Sequence, residues 1–342
     1  MIREAIDTVV AGRSLTFAEA AQVMDEIMGG QATPAQIAAF ITALRIKGEK
    51  VEEIAGLASV MRAKAVPVAA APPLIDTCGT GGDNSGSFNV STAAAFVVAG
   101  AGMKVAKHGN RAMSSHCGSA DVLEALGVKI DLEAPAVAKC LEVVGIGFMF
   151  APIFHPAMKY AAAPRREIGI RTVFNILGPL TNPARAEFQV IGVPSKELGE
   201  KIAFTLQRLG SKHSLVVHGL DGMDEISIGG KSLIWDITQE RVSPPYEVSP
   251  EDFGLRLAST AELTGRTPEE NARILRDILS GEGGPRRDIV VVNAAAALVA
   301  GNKASDFKGG CRIAEVVIDS GKAQDKLDRL IRFSNEVALS TQ

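Results

Sequence analysis

The chain has 342 residues, 46% hydrophobic and 22% charged, close to the soluble globular average and too apolar for a disordered chain. Its 36 basic and 39 acidic residues give a net charge of −3, which leaves no overall basic surface for nucleic acid or an anionic membrane. A chain of this length suggests about two domains.

The N-terminus, MIREAIDTVV, lacks the basic and long apolar regions of a signal peptide. The longest apolar stretches, 93–103 and 289–300, fall short of the roughly 20 residues that span a membrane. A soluble cytoplasmic protein is expected. Cys78, Cys117, Cys140 and Cys311 form no C-x-x-C pair and no zinc spacing, so reduced thiols are expected.

In chain order, the first seventy residues read as consecutive helices. Thr16 and Glu19 fit a capping box. Thr33-Pro34 fits an N-cap with proline at the first helical position, and Gly48 ends that helix. Residues 51–65 predict an amphipathic helix with Ile54, Leu57, Ala58 and Met61 on one face. The Pro/Ala-rich segment 66–73 reads as a linker.

Short apolar runs then alternate with helical ones. Strands are expected at 74–77, 104–106, 147–150, 188–193 and 215–217. Helices are expected from about Ser91, at 120–126, through 155–166 and at 196–209. This alternation predicts an α/β architecture with a mostly parallel central sheet. Residues 232–257 read as strand-poor surface structure, broken at Pro244-Pro245. Thr267-Pro268 starts another helix, and helices at 288–300 and 313–335 close the chain.

Four stretches carry chemistry. The first is Asp76-Thr77-Cys78-Gly79-Thr80-Gly81-Gly82-Asp83, followed by Asn84-Ser85-Gly86-Ser87-Phe88-Asn89-Val90-Ser91-Thr92. Glycines after a strand let the backbone approach a ligand, and the next helix start adds free N–H groups, with Ser91 and Thr92 as caps or ligand donors. It is neither a Walker A loop nor a dinucleotide fingerprint. The second, Lys107-His108-Gly109-Asn110-Arg111-Ala112-Met113-Ser114-Ser115, concentrates two cations with polar donors, suiting a polyanion; Ser119 follows near a helix start.

The third runs from His155 to Pro183 and holds Arg165, Arg166, Arg171 and the Gly178-Pro179 turn. An arginine there could hold a carboxylate. In the fourth, a strand leads into Asp221, Asp224 and Glu225. Adjacent acids beside phosphate-friendly loops suit Mg²⁺. Together these predict a site for a polyphosphorylated substrate, Mg²⁺ and a second anionic partner. No nucleophile elbow is present, which argues against acyl-transfer hydrolysis.

This combination resembles the anthranilate phosphoribosyltransferases over nearly the whole chain. The family's signatures are matched by Gly79-Thr80-Gly81-Gly82-Asp83, Asn89-Val90-Ser91-Thr92, Lys107-His108-Gly109-Asn110-Arg111 and Ser114-Ser115. The basic segment 164–183 and Asp224-Glu225 complete the set. Departures are Ser87, where the family usually has threonine, and 84–86.

The resemblance implies a nucleoside phosphorylase II-like fold. Residues 1–72, joined by helices from about 160–185, would form a small helical domain, and 73–342 a large α/β domain. It implies a homodimer and transfer of a phosphoribosyl group from phosphoribosyl pyrophosphate to anthranilate, with Mg²⁺ as cofactor.

For phosphoribosyl pyrophosphate it implies Gly79, Gly82, Asp83, Ser87, Asn89, Val90, Ser91, Thr92, the run Lys107, His108, Gly109, Asn110, Arg111, Ala112, Met113, Ser114, Ser115, and Ser119. For anthranilate it implies Gly79, His108, Asn110, Arg165, Gly178 and Pro179, and for Mg²⁺ it implies Ser91, Asp224 and Glu225. Lys107, His108 and Arg165 would serve catalysis. A pyrimidine nucleoside phosphorylase would need no acidic Mg²⁺ turn, and a nucleic-acid-binding relative would need a long basic groove.

Overall fold

The computed structural model describes residues 1–83, 85–112 and 116–339. Helices α1 (Ile2–Val10), α2 (Phe17–Met28), α3 (Pro34–Lys47) and α4 (Val51–Lys64) come first. Their starts are local. The Thr16 hydroxyl accepts from the Glu19 N–H at 3.3 Å, while Glu19 Oε2 accepts from the Thr16 N–H at 2.8 Å. Thr33 and Gln36 repeat this box, with Pro34 at the first helical position. Ile54, Leu57, Ala58 and Met61 are buried on α4, as their spacing predicts. Gly56 is fixed by packing, since a Cβ there would lie 2.4 Å from the Phe17 carbonyl oxygen of α2.

The next elements are β1 (Leu74–Gly79), α5 (Val90–Gly100), β2 (Lys104–Gly109), α6 (Ser119–Ala125), α7 (Ala134–Val143) and β3 (Ile146–Phe150). Then follow α8 (Ala151–Phe154), α9 (Lys159–Ile168) and α10 (Phe174–Leu177). The sheet resumes with β4 (Phe188–Gly192), and after α11 (Lys196–Arg208) come β5 (His213–Gly219), β6 (Ser232–Thr238) and β7 (Tyr246–Val248). Helices α12 (Pro268–Leu279), α13 (Pro285–Ala300), α14 (Phe307–Asp319) and α15 (Lys322–Leu339) complete the chain.

The strand order is β3-β2-β1-β4-β5-β6-β7. Strands β1 to β5 run parallel to one another, β6 pairs antiparallel with β5, and β7 pairs antiparallel with β6. Strand side chains alternate between faces. Val190, Val217 and Ile234 join one apolar core with α5 and α13. Ile191, Val216 and Trp235 join a second, which holds α1–α4, parts of α9 and α10, and α11. The chain leaves β1 toward β2 and later returns on β1's other side as β4. That reversal opens a crevice at the C-terminal ends of β1 and β4, where ligands of open α/β sheets bind.

Three expectations need correction. Residues 232–257 are not strand-poor: β6 lies inside the sheet between β5 and β7, and its Trp235 is only 1% exposed. The run lacks clean alternation because five of its seven residues are buried, in a sheet covered on both faces. The helix expected through 155–166 is broken at His155, whose backbone (φ −123°, ψ 60°) is not helical and which precedes Pro156. The final helix is two, α14 and α15, separated at Gly321 with φ +72°. Helix α7 has no counterpart among the expected elements.

Candidate active site

At the crevice, β1 ends on Gly79 and its neighbour β4 on Gly192. Asp224, from the loop after β5, packs against both. A Cβ on Gly79 would lie 2.5 Å from Asp224 Oδ2, and one on Gly192 would lie 1.6 Å from the Asp224 carbonyl oxygen. These glycines are therefore required by the protein's own packing. Asp224 Oδ2 accepts from the Gly81 N–H at 3.0 Å, and the Asp224 N–H lies 3.5 Å from Asp83 Oδ2. Gly81 and Gly82 have φ of +63° and +85°. Arg171 crosses the same loop and donates to the carbonyls of Thr80 (3.1 Å) and Gly81 (2.8 Å). Its guanidinium occupies the space a Gly82 side chain would need.

Helix α5 points its N-terminus at this loop. Ser91 and Thr92 do not cap it as expected: they lie in its first turn, and Asn89 is the N-cap residue. Asn89 donates through Nδ2 to Cys117 O at 3.0 Å, and its N–H donates to Asn271 Oδ1 at 3.2 Å. Asn89 Oδ1 and Thr92 Oγ1 are buried without a hydrogen-bond partner among the described residues. Such groups call for a partner from outside the chain. Val90 is a core residue, and its N–H is taken by Phe88 O. Ser87 receives a hydrogen bond from the Ser85 hydroxyl at 3.0 Å, leaving its own proton free.

Strand β2 delivers Lys107 and His108. The Lys107 ammonium is buried, donates to Thr77 O and faces Asp76. Burial lowers its pKa, and Asp76 offsets part of that. Asp76 is fully buried; it accepts from Asn182 Nδ2 at 2.8 Å and from the His108 N–H at 3.2 Å. His108 Nδ1 lies 3.1 Å from Gly178 O. A carbonyl only accepts, so the proton sits on Nδ1 and Nε2 carries a lone pair. That Nε2 is buried with no partner among the described residues. Burial, with His155 and Lys107 adding to it, lowers the His108 pKa to about 3. The ring is neutral at physiological pH.

Acids share this crevice, Glu225 within electrostatic reach of Lys107. Asp224 and Glu225 keep some solvent contact but have protein on most sides. Burial and the neighbouring Asp83 raise the Asp224 pKa to about 7. Burial and Asp224 raise that of Glu225 well above the carboxylate range, against the pull of Lys107. Acids crowded this way are relieved by a cation. No three acidic, histidine or cysteine side chains converge on one metal position among the described residues. Two adjacent carboxylates with little other donor company would suit Mg²⁺, which keeps waters and takes substrate phosphate oxygens.

The other candidate residues are spread around this centre. Arg165 is half-buried on α9, with its guanidinium 5.1 Å from the Phe174 ring centroid and no acid partner among the described residues. Gly178 and Pro179 form the wall beside His108: Gly178 O meets its ring, and Pro179 O accepts from Gln189 at 2.8 Å. Gly109 ends β2, and Asn110 is exposed beyond it. Arg111 is committed to Asp121 (3.0 Å) and Glu124 (2.7 Å), and the Ala112 N–H to Asp121. Ser119 opens α6 and donates to Asn110 O at 3.4 Å. Met113, Ser114 and Ser115 lie outside the described residues.

Residues 71–324 match the glycosyl transferase family a/b domain, and 3–65 its helical bundle domain. An anthranilate phosphoribosyltransferase of Dehalococcoides mccartyi is 58% identical over 339 residues, covering 99% of both chains. The Chloroflexus aggregans enzyme of that name is 61% identical, over 97% of this chain and 98% of its own.

The chain belongs to the anthranilate phosphoribosyltransferase family.

Solved members of the family share the fold. The Thermus thermophilus enzyme superimposes with a TM-score of 0.91 at 43% identity, over 97% of this chain and 99% of its own. The Saccharomyces cerevisiae enzyme in complex with PRPP and Mg gives 0.90 at 30% identity, over 98% of each.

Within this member of the family, four residues near the site carry no sequence assignment. Arg171 stands in the basic segment, but nothing local distinguishes it from Arg166. His155, whose ring centroid is 5.1 Å from that of His108, is 47 residues away in the chain. Asp76 and Asn182 meet across 106 residues. Only the tertiary fold joins them.

Proposed function

We propose that this chain transfers the 5-phosphoribosyl group of phosphoribosyl pyrophosphate to the amino group of anthranilate, releasing pyrophosphate. Full-length identity of 58% to an anthranilate phosphoribosyltransferase carries this reading. The nucleoside phosphorylase and nucleic-acid readings are not favoured by it.

The donor's phosphates would meet Gly79–Asp83 as a loop, Ser87, the Asn89–Thr92 turn, Lys107 and Ser119, with the unpartnered Thr92 hydroxyl free to donate. Met113, Ser114 and Ser115 belong to the same assignment. Ser91, Asp224 and Glu225 would hold Mg²⁺, which supplies charge neutralisation of the pyrophosphate. Lys107 is a fixed cation beside the departing charge, and preorganised charge of this kind lowers the barrier without moving. Arg165 faces the acceptor's carboxylate, and a neutral His108 offers its Nε2 lone pair to the amine N–H. Asn110, Gly178 and Pro179 complete the acceptor's surroundings. Positioning the neutral aryl amine against C1 supplies the rest.

The reading includes a homodimer, a cytoplasmic setting, and a helical domain of 1–72 joined by 160–185. Ala161, Val173 and Leu177 support the last, since they share one apolar core with α1–α4. The deciding assay is anthranilate fluorescence. Loss that needs the protein, phosphoribosyl pyrophosphate and Mg²⁺ together, with pyrophosphate released in step, supports the transfer. No loss with folded protein across a range of Mg²⁺ contradicts it.

A further inference from the structure

A cavity of about 430 Å³ lies away from the site, lined by Arg62, Arg185, Lys212, Glu187, Gln189 and Gln239 among others. Glu187 and Lys212 directly precede β4 and β5, so the cavity opens at the strands' N-terminal ends. The crevice lies at their C-terminal ends, roughly 15 Å away for five residues of strand. The end of α4 forms the cavity's other side, which makes it a junction between the helical layer and the sheet. Ligand pockets favour such junctions, and this volume lies within their usual range.

We propose that this cavity is a second binding site, for a small organic anion of the carboxylate or phosphate class. Three observations carry it. Arg62 is held by the carbonyls of Leu180 (2.5 Å) and Leu209 (3.3 Å), and no carboxylate pairs with it among the described residues. Arg185 is close enough to repel Arg62 and forms no ion pair among the described residues either. Of the cavity's cations only Lys212 has an acid partner, Glu187. Half-enclosed Arg62 and exposed Arg185 line one space whose single carboxylate, Glu187, is taken by Lys212, an arrangement that suits a planar, bidentate anion.

The second observation is backbone strain. Arg185 has φ of +52°, a conformation shared by only one other non-glycine residue among those described, Asn302. Such a residue persists only where its surroundings hold it. Here the Asn182–Arg185 turn does so, through the Arg185 N–H to Asn182 O at 3.0 Å and the Ala184 N–H to Asn182 Oδ1 at 2.9 Å. Third, Gln239 adds a neutral polar group to the lining, as an anion's remaining oxygens require.

Calorimetric titration of the full chain tests this, with inorganic phosphate and malonate used separately and no Mg²⁺ present. We expect at least one anion to bind, with affinity about tenfold weaker in Arg185→Gln and in Lys212→Gln. The KM for phosphoribosyl pyrophosphate should not change in either variant. Binding of phosphate alone assigns the phosphate class, and malonate alone the carboxylate class. Unchanged affinity in both variants would place the anion in the crevice and overturn the proposal. So would the absence of binding by either anion at millimolar concentration. Direct binding does not depend on the transferase reaction, so failure of one reading leaves the other standing.

Discussion

The rings of His108 and His155 lie 5.1 Å apart at 55°, and three of their four nitrogens are buried without a hydrogen-bond partner among the described residues. Burial lowers His155 to about 4 and His108 to about 3. Two neutral imidazoles therefore share a compartment that would resist protonating either.

A pH dependence follows from that pair. The folded histidines take up protons at lower pH than the unfolded ones near 6.5, so the unfolded chain binds more protons between those values. Their contribution to stability is complete above pH 6.5 and is lost as pH falls toward 4. A fall from pH 6.5 to 5 should cost about 2 kcal/mol per histidine, at ~1.4 kcal/mol per pKa unit. Thermal melts of His155→Asn should show a flatter Tm profile over that window. A profile as steep as the wild type's would exclude His155 as a source.

Arg165→Ala should raise the KM for anthranilate by roughly ten- to a hundredfold, the usual loss for a charged hydrogen bond. The KM for phosphoribosyl pyrophosphate should move little. Equal rises for both substrates in steady-state kinetics would detach Arg165 from the carboxylate.

Mg²⁺ should raise the melting temperature of the wild type near pH 7.5. The Asp224→Asn/Glu225→Gln variant should lose that shift and need more Mg²⁺ for turnover, since crowded acids are what the ion relieves. An unchanged Mg²⁺ titration would remove these two side chains from the metal's surroundings.

Gly82→Ala should weaken donor binding for two separable reasons. Its φ is +85°, which costs a side chain of order 1 kcal/mol or more. Its Cβ would also meet Arg171. Removing Arg171 in the Gly82→Ala background should recover part of the donor affinity, and a double-mutant cycle measures that share. Strict additivity of the two changes would mean that the clash contributes nothing.

Gly199→Ala should destabilise the chain by about 1–3 kcal/mol through overpacking. Its Cβ would approach the ring of Trp235, the chain's single tryptophan, to 2.5 Å. Intrinsic fluorescence reports this directly. Wild-type emission and wild-type Tm together would show that α11 yields without cost.

The parts legible in the sequence are those set by local rules. Thr16 with Glu19, and Thr33 with Pro34 and Gln36, mark helix starts because their caps close within three residues. Gly79–Asp83 and Lys107–Asn110 stand out because each follows a strand, and the fold brings both to the C-terminal ends of β1 and β2. Strand β6 is not: its burial comes from β5, β7 and the helices around Trp235, none of which is near in sequence. Arg171 and His155 are equally silent, since one needs the carbonyls of Thr80 and Gly81 and the other needs His108. Of the two roles open to Ser91 and Thr92 in the sequence, capping fails because α5 already begins at Val90 with Asn89 as its N-cap, and donation to a ligand is left.

Lys107 is tied to β1 through Thr77 O and lies beside Asp76 of the same strand. The loop after β1 is pinned to the same frame, since the Gly81 N–H donates to Asp224 and its carbonyl accepts from Arg171. Cation, acids and glycine loop are thus each referenced to the C-terminal ends of neighbouring strands. An anion entering the crevice meets groups whose spacing is set before it arrives.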